Sequence, residues 1–190
     1  MTRALPSLPT PARSARAALF IALVLKAAGL RSAGAMTVKT DGDLAVDVSA
    51  AVDAMQARAL AAEVKLKIRT PESMPAPRDA AAIQLVVRNL LDNAIKFSPA
   101  GTTVHVSLEH QDDGAQLSVV DAGRGLNEEE RKRAFEPFWR GDDRSSGGTG
   151  LGLHLVHEMV SAHGGAVRAD SAGRDQGSTF VVQLPLEEQV

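Results

Sequence analysis

Apolar residues recur with helical spacing in two long segments of the chain. Before residue 97 they repeat at i, i+3, i+4 and i+7, which predicts an amphipathic helix with one buried stripe: Ile83, Val86, Val87, Leu90, Leu91 and Ala94. Asp79 is a suitable N-cap for this helix, and the segment from Ser98 to Gly101 ends it. The same spacing predicts a helix over residues 151–163, ended by Gly164 and Gly165, with a buried stripe of Leu151, Leu155, Val156, Met159 and Val160.

Alternating apolar and polar residues predict strands at residues 64–68, 103–109, 117–120 and 179–184, and Val167 begins another. Asp112-Asp113-Gly114 separates two of these strands and predicts a hairpin turn. His105 and His110 fall on the polar face of a strand or after it, so we expect them to face solvent. Strands interspersed with helices predict a compact α/β domain over residues 36–187.

Four other segments have less regular patterns. Residues 44–60 are interpreted as a strand or bend followed by a helix that contains Val52, Met55 and Leu60. Residues 70–78 hold three prolines and are predicted to form a loop. Residues 127–135 predict a charged helix with Asn127 as its N-cap, and the polar, glycine-rich residues 141–150 predict a mobile loop.

The first 35 residues differ in composition from the rest of the chain. Residues 1–16 are rich in Pro, Ser, Arg and Ala and predict a disordered tail. Residues 17–30 are apolar apart from Lys26, which leaves them too short and interrupted for a transmembrane helix of roughly 20 apolar residues. A signal peptide is one alternative, because arginines precede this segment and Ala33-Gly34-Ala35 resembles a cleavage site. We favour a short helix over residues 17–35.

Composition narrows the possible functions. Of the 190 residues 44% are hydrophobic, which is enough for a globular core, and the scarcity of aromatic residues makes that core aliphatic. The net charge of −2 gives no electrostatic reason to expect binding to nucleic acid or to an anionic membrane. Because the chain has no cysteine, disulfides, thiolate zinc sites and cysteine nucleophiles are excluded.

Three polar residues lie on one side of the helix predicted before residue 97. Helical spacing places Asn89, Asn93 and Lys96 together on one sector, away from the buried stripe. A solvated face is the ordinary interpretation of such a row, although asparagine is a poor helix former and is uncommon there. Asparagine also supplies an uncharged oxygen for a hard cation and an amide for a phosphate oxygen.

Two glycine motifs add candidate chemistry. Asp121-Ala122-Gly123-Arg124-Gly125 follows a strand, so its carboxylate suits an exocyclic amine and its glycines permit close approach of a flat ligand. The segment from Gly148 to Leu153 opens a helix, where free backbone amides and the helix dipole favour phosphate. It is not a Walker loop, because no Gly-Lys-Ser/Thr follows. Taken singly, each motif is more typical of an ordinary turn or hinge.

A metal site on the last helix is a weaker possibility. His154 and His157 are three residues apart, with Glu158 beside them. No third ligand is evident in the sequence, and this face of the helix is expected to be solvated. We therefore do not assign a metal site here.

Together, these motifs resemble the catalytic, ATP-binding domain of bacterial sensor histidine kinases. That domain belongs to a superfamily shared with type II topoisomerases, mismatch-repair ATPases and heat-shock chaperone ATPases. Residues 89–97 resemble the N box, 121–125 the first glycine box, 135–140 the F box and 148–153 the second glycine box. The segment Gly177-Ser178-Thr179-Phe180 follows in the same order, and the resemblance covers about residues 40–187.

The resemblance implies roles for the residues of the N box. Asn93 would be the magnesium ligand, and Asn89 would support the phosphates or their water. Lys96 would reach a distal phosphate, and Phe97 would stack near the adenine. Each of these roles agrees with what the residue type permits.

The resemblance also implies roles in the loops. Asp121 would accept a hydrogen bond from the adenine amine. The glycine-rich residues 141–150 would form a lid over the nucleotide. Arg140, at the border of this lid, would meet the γ-phosphate. Asn89, Lys96 and Arg140 would be the catalytic residues. The remaining cofactor-binding residues would be Gly123, Gly125, Gly148, Thr149, Gly150, Leu151, Gly152, Leu153 and Thr179.

The implied fold is a two-layer α/β sandwich, with a mixed sheet, helices on one face, and ATP between the helices and the lid loop. The implied function is Mg²⁺-ATP binding and phosphoryl transfer to histidine, in the cytoplasm. The implied partners are a phosphoacceptor-histidine domain and a response regulator, with no nucleic acid.

One departure from the family pattern concerns the acceptor. No histidine precedes His105, although residues 17–34 resemble the tail of the family's dimerisation hairpin. We therefore expect the chain not to phosphorylate itself, and to form a homodimer only if the hairpin is complete. Two alternatives stay open: a nucleotide-gated regulator or serine kinase resembling anti-sigma factors, and a truncated ATP-binding protein without kinase activity.

Overall fold

The computed structural model describes residues 39–112, 114–141 and 149–186. The predictions for residues 1–38 and for most of the lid, including Gly148, lie outside the described residues. The elements in chain order are β1 (Thr40–Asp43), α1 (Leu44–Ala61), β2 (Lys65–Arg69), β3 (Pro75–Arg78), α2 (Ala80–Phe97), β4 (Thr103–Gln111), β5 (Gly114–Val120), α3 (Glu128–Arg133), α4 (Gly152–Ala162), β6 (Ala166–Asp170) and β7 (Thr179–Leu184).

A five-stranded mixed sheet forms one layer, in the order β2-β4-β5-β7-β6. Strands β2 and β4 run parallel, and every other neighbouring pair is antiparallel. Strands β1 and β3 form a separate antiparallel pair. The predicted hairpin between β4 and β5 is confirmed, because Gln111 pairs with Gly114.

Helix α2 packs against both α1 and α4, and all three helices pack against one face of the sheet. That face carries aligned apolar rows, such as Val106, Val119 and Phe180, which are at most 5% exposed. The opposite face is more polar, and His105 is exposed there as predicted. The predicted two-layer sandwich with helices on one face is therefore confirmed.

Helix α2 forms where its periodicity predicts it. The Asp79 carboxylate caps the helix by accepting from the Ala82 amide at 3.1 Å, and the helix ends at Ser98. Leu90 and Leu91 are fully buried, and each contributes about 1.5–3 kcal/mol of hydrophobic stabilisation. This buried stripe fixes the rotation of α2 and hence the direction of its polar side.

One assignment for the first part of the chain is wrong. Residues 44–60 contain no strand or bend, because the Asp43 carboxylate accepts from the Ala45 and Val46 amides and starts α1 at Leu44. The strand lies before it, in β1. Leu60 belongs to the helix as predicted, but its side chain is 79% exposed near the helix end.

The proline-rich segment is not entirely a loop. Pro75–Arg78 forms β3 and pairs with β1, with Pro75 opposite Asp43 and Pro77 opposite Asp41. Proline lacks an amide donor and occurs in sheets only at such edge positions. A proline-rich segment therefore predicts a loop, and its composition does not indicate the strand. The charged helix α3 is also shorter than predicted, at Glu128–Arg133. No helix in the described ranges has the length and apolar content needed to cross a membrane.

Candidate functional site

Asn89 and Asn93 form a row of carboxamides along α2, here called the amide row, and this row faces the start of α4. Asn89 and Asn93 are half-buried and Lys96 is exposed. The Asn89 Nδ2 donates to the Leu85 carbonyl at 2.9 Å, and a Cβ placed on Gly152 would lie 2.9 Å from Asn89 Oδ1. Gly152 is the first residue of α4, so the missing side chain lets the helix start approach the first asparagine.

The described end of the lid is attached to the F box. The Gly150 carbonyl accepts from the Phe138 amide at 2.9 Å, and Gly150 has φ +72°. The Leu151 amide donates to Thr149 Oγ1 at 3.4 Å, which orients the chain as it enters α4. Phe138 itself has φ +61° and is 48% exposed, an unusual conformation for a bulky residue. Leu153 lies within the first turn of α4 and is half-buried.

The F box is anchored through Phe135. Its ring meets Phe180 of β7 edge-on, with centroids 6.5 Å apart, and its carbonyl lies 3.1 Å from His154 Nδ1 on α4. The Arg133 guanidinium lies over the Trp139 ring at 5.8 Å. Arg140, the proposed γ-phosphate contact, is exposed at the border of the lid.

Asp121 is a buried carboxylate at the end of β5, only 9% exposed. Its Oδ1 accepts from the Gly123 amide at 2.8 Å and from the Ser178 amide at 3.1 Å. Burial raises the pKa of this carboxyl above its usual value, and the two amide hydrogen bonds oppose that rise. Both amides bind Oδ1, so Oδ2 lies outside these two hydrogen bonds.

The glycines after Asp121 bring its loop against the end of α2. A Cβ on Gly123 would lie 2.7 Å from the Phe97 carbonyl oxygen. Gly125 has φ +64°, and a side chain there would overlap the Gly173 carbonyl. The first glycine box and Phe97 are therefore neighbours in space, although β4 and β5 lie between them in the sequence.

Two cations lie beside Phe97: Lys96, which was predicted as a site residue, and Arg124, which was not. The Arg124 guanidinium lies 5.0 Å from the Phe97 ring centroid, and Lys96 Nζ lies at 4.9 Å. Arg124 pairs with Glu130 at 3.0 Å, and Glu130 is 3% exposed. The Asn127–Glu130 spacing of a capping box was a signal for Glu130, and the box is present.

Thr179 lies beside Asp121 but on the sheet face opposite α2. It pairs with Val120 and Asp170 across the sheet and alternates with the buried Phe180, so its side chain lies on the face opposite the helices. It lines a cavity of about 330 Å³ together with Asp121, Ser178 and Asp170. The neighbouring Ser178 contacts Asp121 through its amide instead.

The histidines of α4 have structural contacts. No cluster of three metal-ligating residues occurs in the described part of the chain, and His157 lies 3.5 Å from Glu158. His163 is buried and joins two helices, since its Nε2 accepts from the Asp79 amide at 3.1 Å. Its Nδ1 then carries the proton and donates to the Met159 carbonyl at 2.7 Å.

Comparisons with known proteins agree with this arrangement. A family model described as histidine kinase-, DNA gyrase B-, and HSP90-like ATPase matches residues 78–188. The sensor-like histidine kinase SenX3 of Mycobacterium bovis is 32% identical over 168 residues, which cover 87% of this chain and 41% of SenX3. The chain thus matches less than half the length of this curated relative.

Solved structures show the same fold. The mycobacterial sensor histidine kinase MprB has 30% identity and a TM-score of 0.70, covering 80% of this chain and 100% of that one. Full-length ShkA in complex with AMPPNP has 24% identity and a TM-score of 0.73, covering 91% of this chain and 37% of ShkA, and supports the fold alone. The predicted resemblance is confirmed: the chain belongs to the histidine kinase-, DNA gyrase B- and HSP90-like ATPase family and carries the catalytic domain of the sensor histidine kinase type.

Proposed function

We propose that this chain binds Mg²⁺-ATP and transfers the γ-phosphoryl group to a histidine, as the catalytic part of a two-component sensor kinase. The observation that carries the proposal is the contact between Asn89 and Gly152. It brings the amide row of α2 to the N-terminus of α4, where backbone amides and the helix dipole favour phosphate. Family membership supplies ATP as the expected nucleotide.

The side chains present suit magnesium. Asn93 lies one helical turn after Asn89 on the half-buried side of α2 and offers a neutral carboxamide oxygen, a ligand type that Mg²⁺ accepts beside phosphate oxygens and water. When bound, the ion neutralises charge on the phosphates. We assign Asn93 as its protein ligand, with Asn89 supporting the phosphates.

The base is read by Asp121 in this proposal. Oδ1 is held by two backbone amides, which leaves Oδ2 to accept a hydrogen bond from the exocyclic amine of adenine. Guanine presents a carbonyl at the same place, and two acceptors facing each other in a buried site repel. Phe97, next to this loop, supplies a ring that can stack on the base.

The distal phosphates are assigned to cations and backbone amides. Lys96 and Arg140 are exposed, and α4 offers its first backbone amides at Gly152. In the transfer, the bond from the γ-phosphorus to the oxygen bridging to the β-phosphate breaks as a bond to a histidine nitrogen forms, and ADP leaves. Positioning of the phosphates in line with the acceptor is the main task of these residues.

The acceptor is proposed to come from a separate histidine-bearing helical domain, and the phosphoryl group then passes to a response regulator in the cytoplasm. The histidines of this chain are poorly suited to accept it. His105 and His110 belong to β4, while His154 and His163 contact backbone carbonyls of Phe135 and Met159. Helix α4, which carries His154 and His157, begins at the proposed phosphate site, but the His154 ring is turned to the F box, with Nδ1 3.1 Å from the Phe135 carbonyl.

Calorimetry of Mg²⁺-ATP binding tests the nucleotide part of the proposal. Asn93→Ala removes the magnesium ligand and is expected to abolish binding, whereas Gln84→Ala removes a carboxamide from the same helix and should leave the affinity unchanged. Equal affinity in the unmodified chain and Asn93→Ala would show that Asn93 is not the ligand. The regulator alternative predicts serine phosphorylation of a small antagonist protein, which we expect to be absent.

A further inference from the structure

Arg124 links the buried Glu130 to the ring of Phe97. Its Nη1 donates to Glu130 Oε1 at 3.0 Å, and its guanidinium carbon lies 5.0 Å from the centre of the Phe97 ring. The Arg124 side chain is 25% exposed and that of Glu130 is 3% exposed, so the pair is shielded from solvent. A cation over an aromatic ring is attracted to it more strongly when desolvated.

Glu130 is held from three sides. Its Oε2 accepts from the Asn127 amide at 2.9 Å and pairs with Arg174 at 3.1 Å, while its Oε1 pairs with Arg124. The carboxylate therefore has a fixed position, set by the α3 capping box, and it fixes Arg124 in turn. A Cβ on Gly141 would also lie 2.9 Å from Arg124 Nη2, so the backbone leaving the F box closes over the pair.

We propose that Arg124 and Glu130 are positioning residues that set the Phe97 ring against the base of the nucleotide. The inference rests on the proposed function, because it assumes that Phe97 contacts the base. Arg124 acts on the nucleotide through the Phe97 ring and does not touch the phosphates. Its effect on binding should therefore be the same for every adenine nucleotide.

Nucleotide affinity in a set of variants tests this pair. Arg124→Gln should weaken Mg²⁺-ATP, Mg²⁺-ADP and adenosine by the same factor, about fivefold to twentyfold. Arg124→Lys keeps a cation near the ring and should stay within about threefold of the unmodified chain. Glu130→Gln should match Arg124→Gln, and the double variant should lose no more than either single one.

The control is Arg168→Gln, which breaks an exposed ion pair of the same 3.0 Å length with Asp170 on β6 and should leave the affinity unchanged. The decisive comparison uses Phe97→Ala, in which Arg124→Gln should change Mg²⁺-ATP affinity by less than about twofold. An undiminished effect of Arg124→Gln without the ring would show a merely structural role and overturn the inference.

Other outcomes separate the two proposals. If the unmodified chain binds Mg²⁺-ATP and Arg124→Gln binds it equally well, the positioning role is overturned and the proposed function stands. A loss confined to ATP would place Arg124 at the γ-phosphate and would also overturn it. Failure of the unmodified chain to bind Mg²⁺-ATP would overturn the proposed function and this inference together. If Glu130→Gln unfolds, the Arg124 variants carry the test.

Discussion

Replacing Asp121 with asparagine separates nucleotide recognition from fold stability. The Gly123 and Ser178 amides donate to Oδ1, and the carbonyl oxygen of asparagine can accept both hydrogen bonds in the same place. The asparagine NH₂ group then occupies the position of Oδ2. A donor would face the adenine amine where an acceptor stood before.

The expected loss follows from that exchange. One charge-assisted hydrogen bond is worth about 1.5–3 kcal/mol, so Mg²⁺-ATP affinity should fall by about tenfold to 150-fold. The free energy of unfolding should rise or stay constant. Burial raises the pKa of Asp121, which means that the ionised carboxylate is disfavoured in the folded state and that a neutral side chain relieves this cost at neutral pH.

Isothermal calorimetry with ATP and thermal unfolding without nucleotide measure the two effects. Asp170→Asn is the matched control, because it neutralises an exposed aspartate on β6, which β7 separates from β5. It should change neither quantity appreciably. Full ATP affinity in Asp121→Asn, or equal competition by GTP and ATP in the unmodified chain, would refute the base-reading role. A loss of affinity accompanied by a lower unfolding temperature would refute the structural reasoning.

Three further predictions follow from the same contacts. Gly152→Ala places a methyl group against Asn89 Oδ1 and should lower Mg²⁺-ATP affinity by about tenfold in calorimetry, with little change in unfolding temperature. Gly125→Ala forces a side chain into φ +64° and against the Gly173 carbonyl, so urea unfolding should show a loss of about 2–4 kcal/mol. As pH falls, nucleotide affinity should drop through the raised pKa of Asp121, above the usual 3.8, and Asp121→Asn should lack this step.

The sequence predicts those parts of the fold that local patterns determine. Helix α2 has a regular apolar stripe, a capping aspartate and a terminating Ser-Pro, so its bounds and its polar side follow from short-range rules. The alternation of β4, β5 and β7 likewise predicts which residues face the helices. The predicted start of helix α1 is wrong because Asp43 is the N-cap and brings the helix start forward to Leu44.

Contacts between distant segments could not be predicted in the same way. Strand β3 exists because it pairs with β1, more than 30 residues earlier, and its prolines argue against any strand. The bond from the Asp79 amide to His163 spans 84 residues and has no signature in either helix.

The candidate site shows the same division. The motifs predicted Asn89, Gly152 and Asp121 as members of one site, and the structure brings Asn89 to Gly152. Thr179 follows the motif but lies on the other face of β7, since strand alternation with Phe180 decides its direction. Arg124 occupies a position of the Asp-x-Gly-x-Gly pattern that the motif leaves unspecified, so only its contacts with Glu130 and Phe97 reveal it.

Transfer of labelled phosphate to histidine tests the central claim most directly. The purified chain is incubated with Mg²⁺ and ATP labelled at the γ-phosphate, alone and together with a separate helical-hairpin domain that carries an acceptor histidine. We expect acid-labile label on the hairpin, lost in Asn93→Ala and Arg140→Ala and retained in Gln84→Ala, and no label on the chain itself. Acid-labile label on the chain without the hairpin would show that one of its own histidines is the acceptor. No label on any histidine hairpin, from a chain that binds Mg²⁺-ATP, would contradict the kinase assignment.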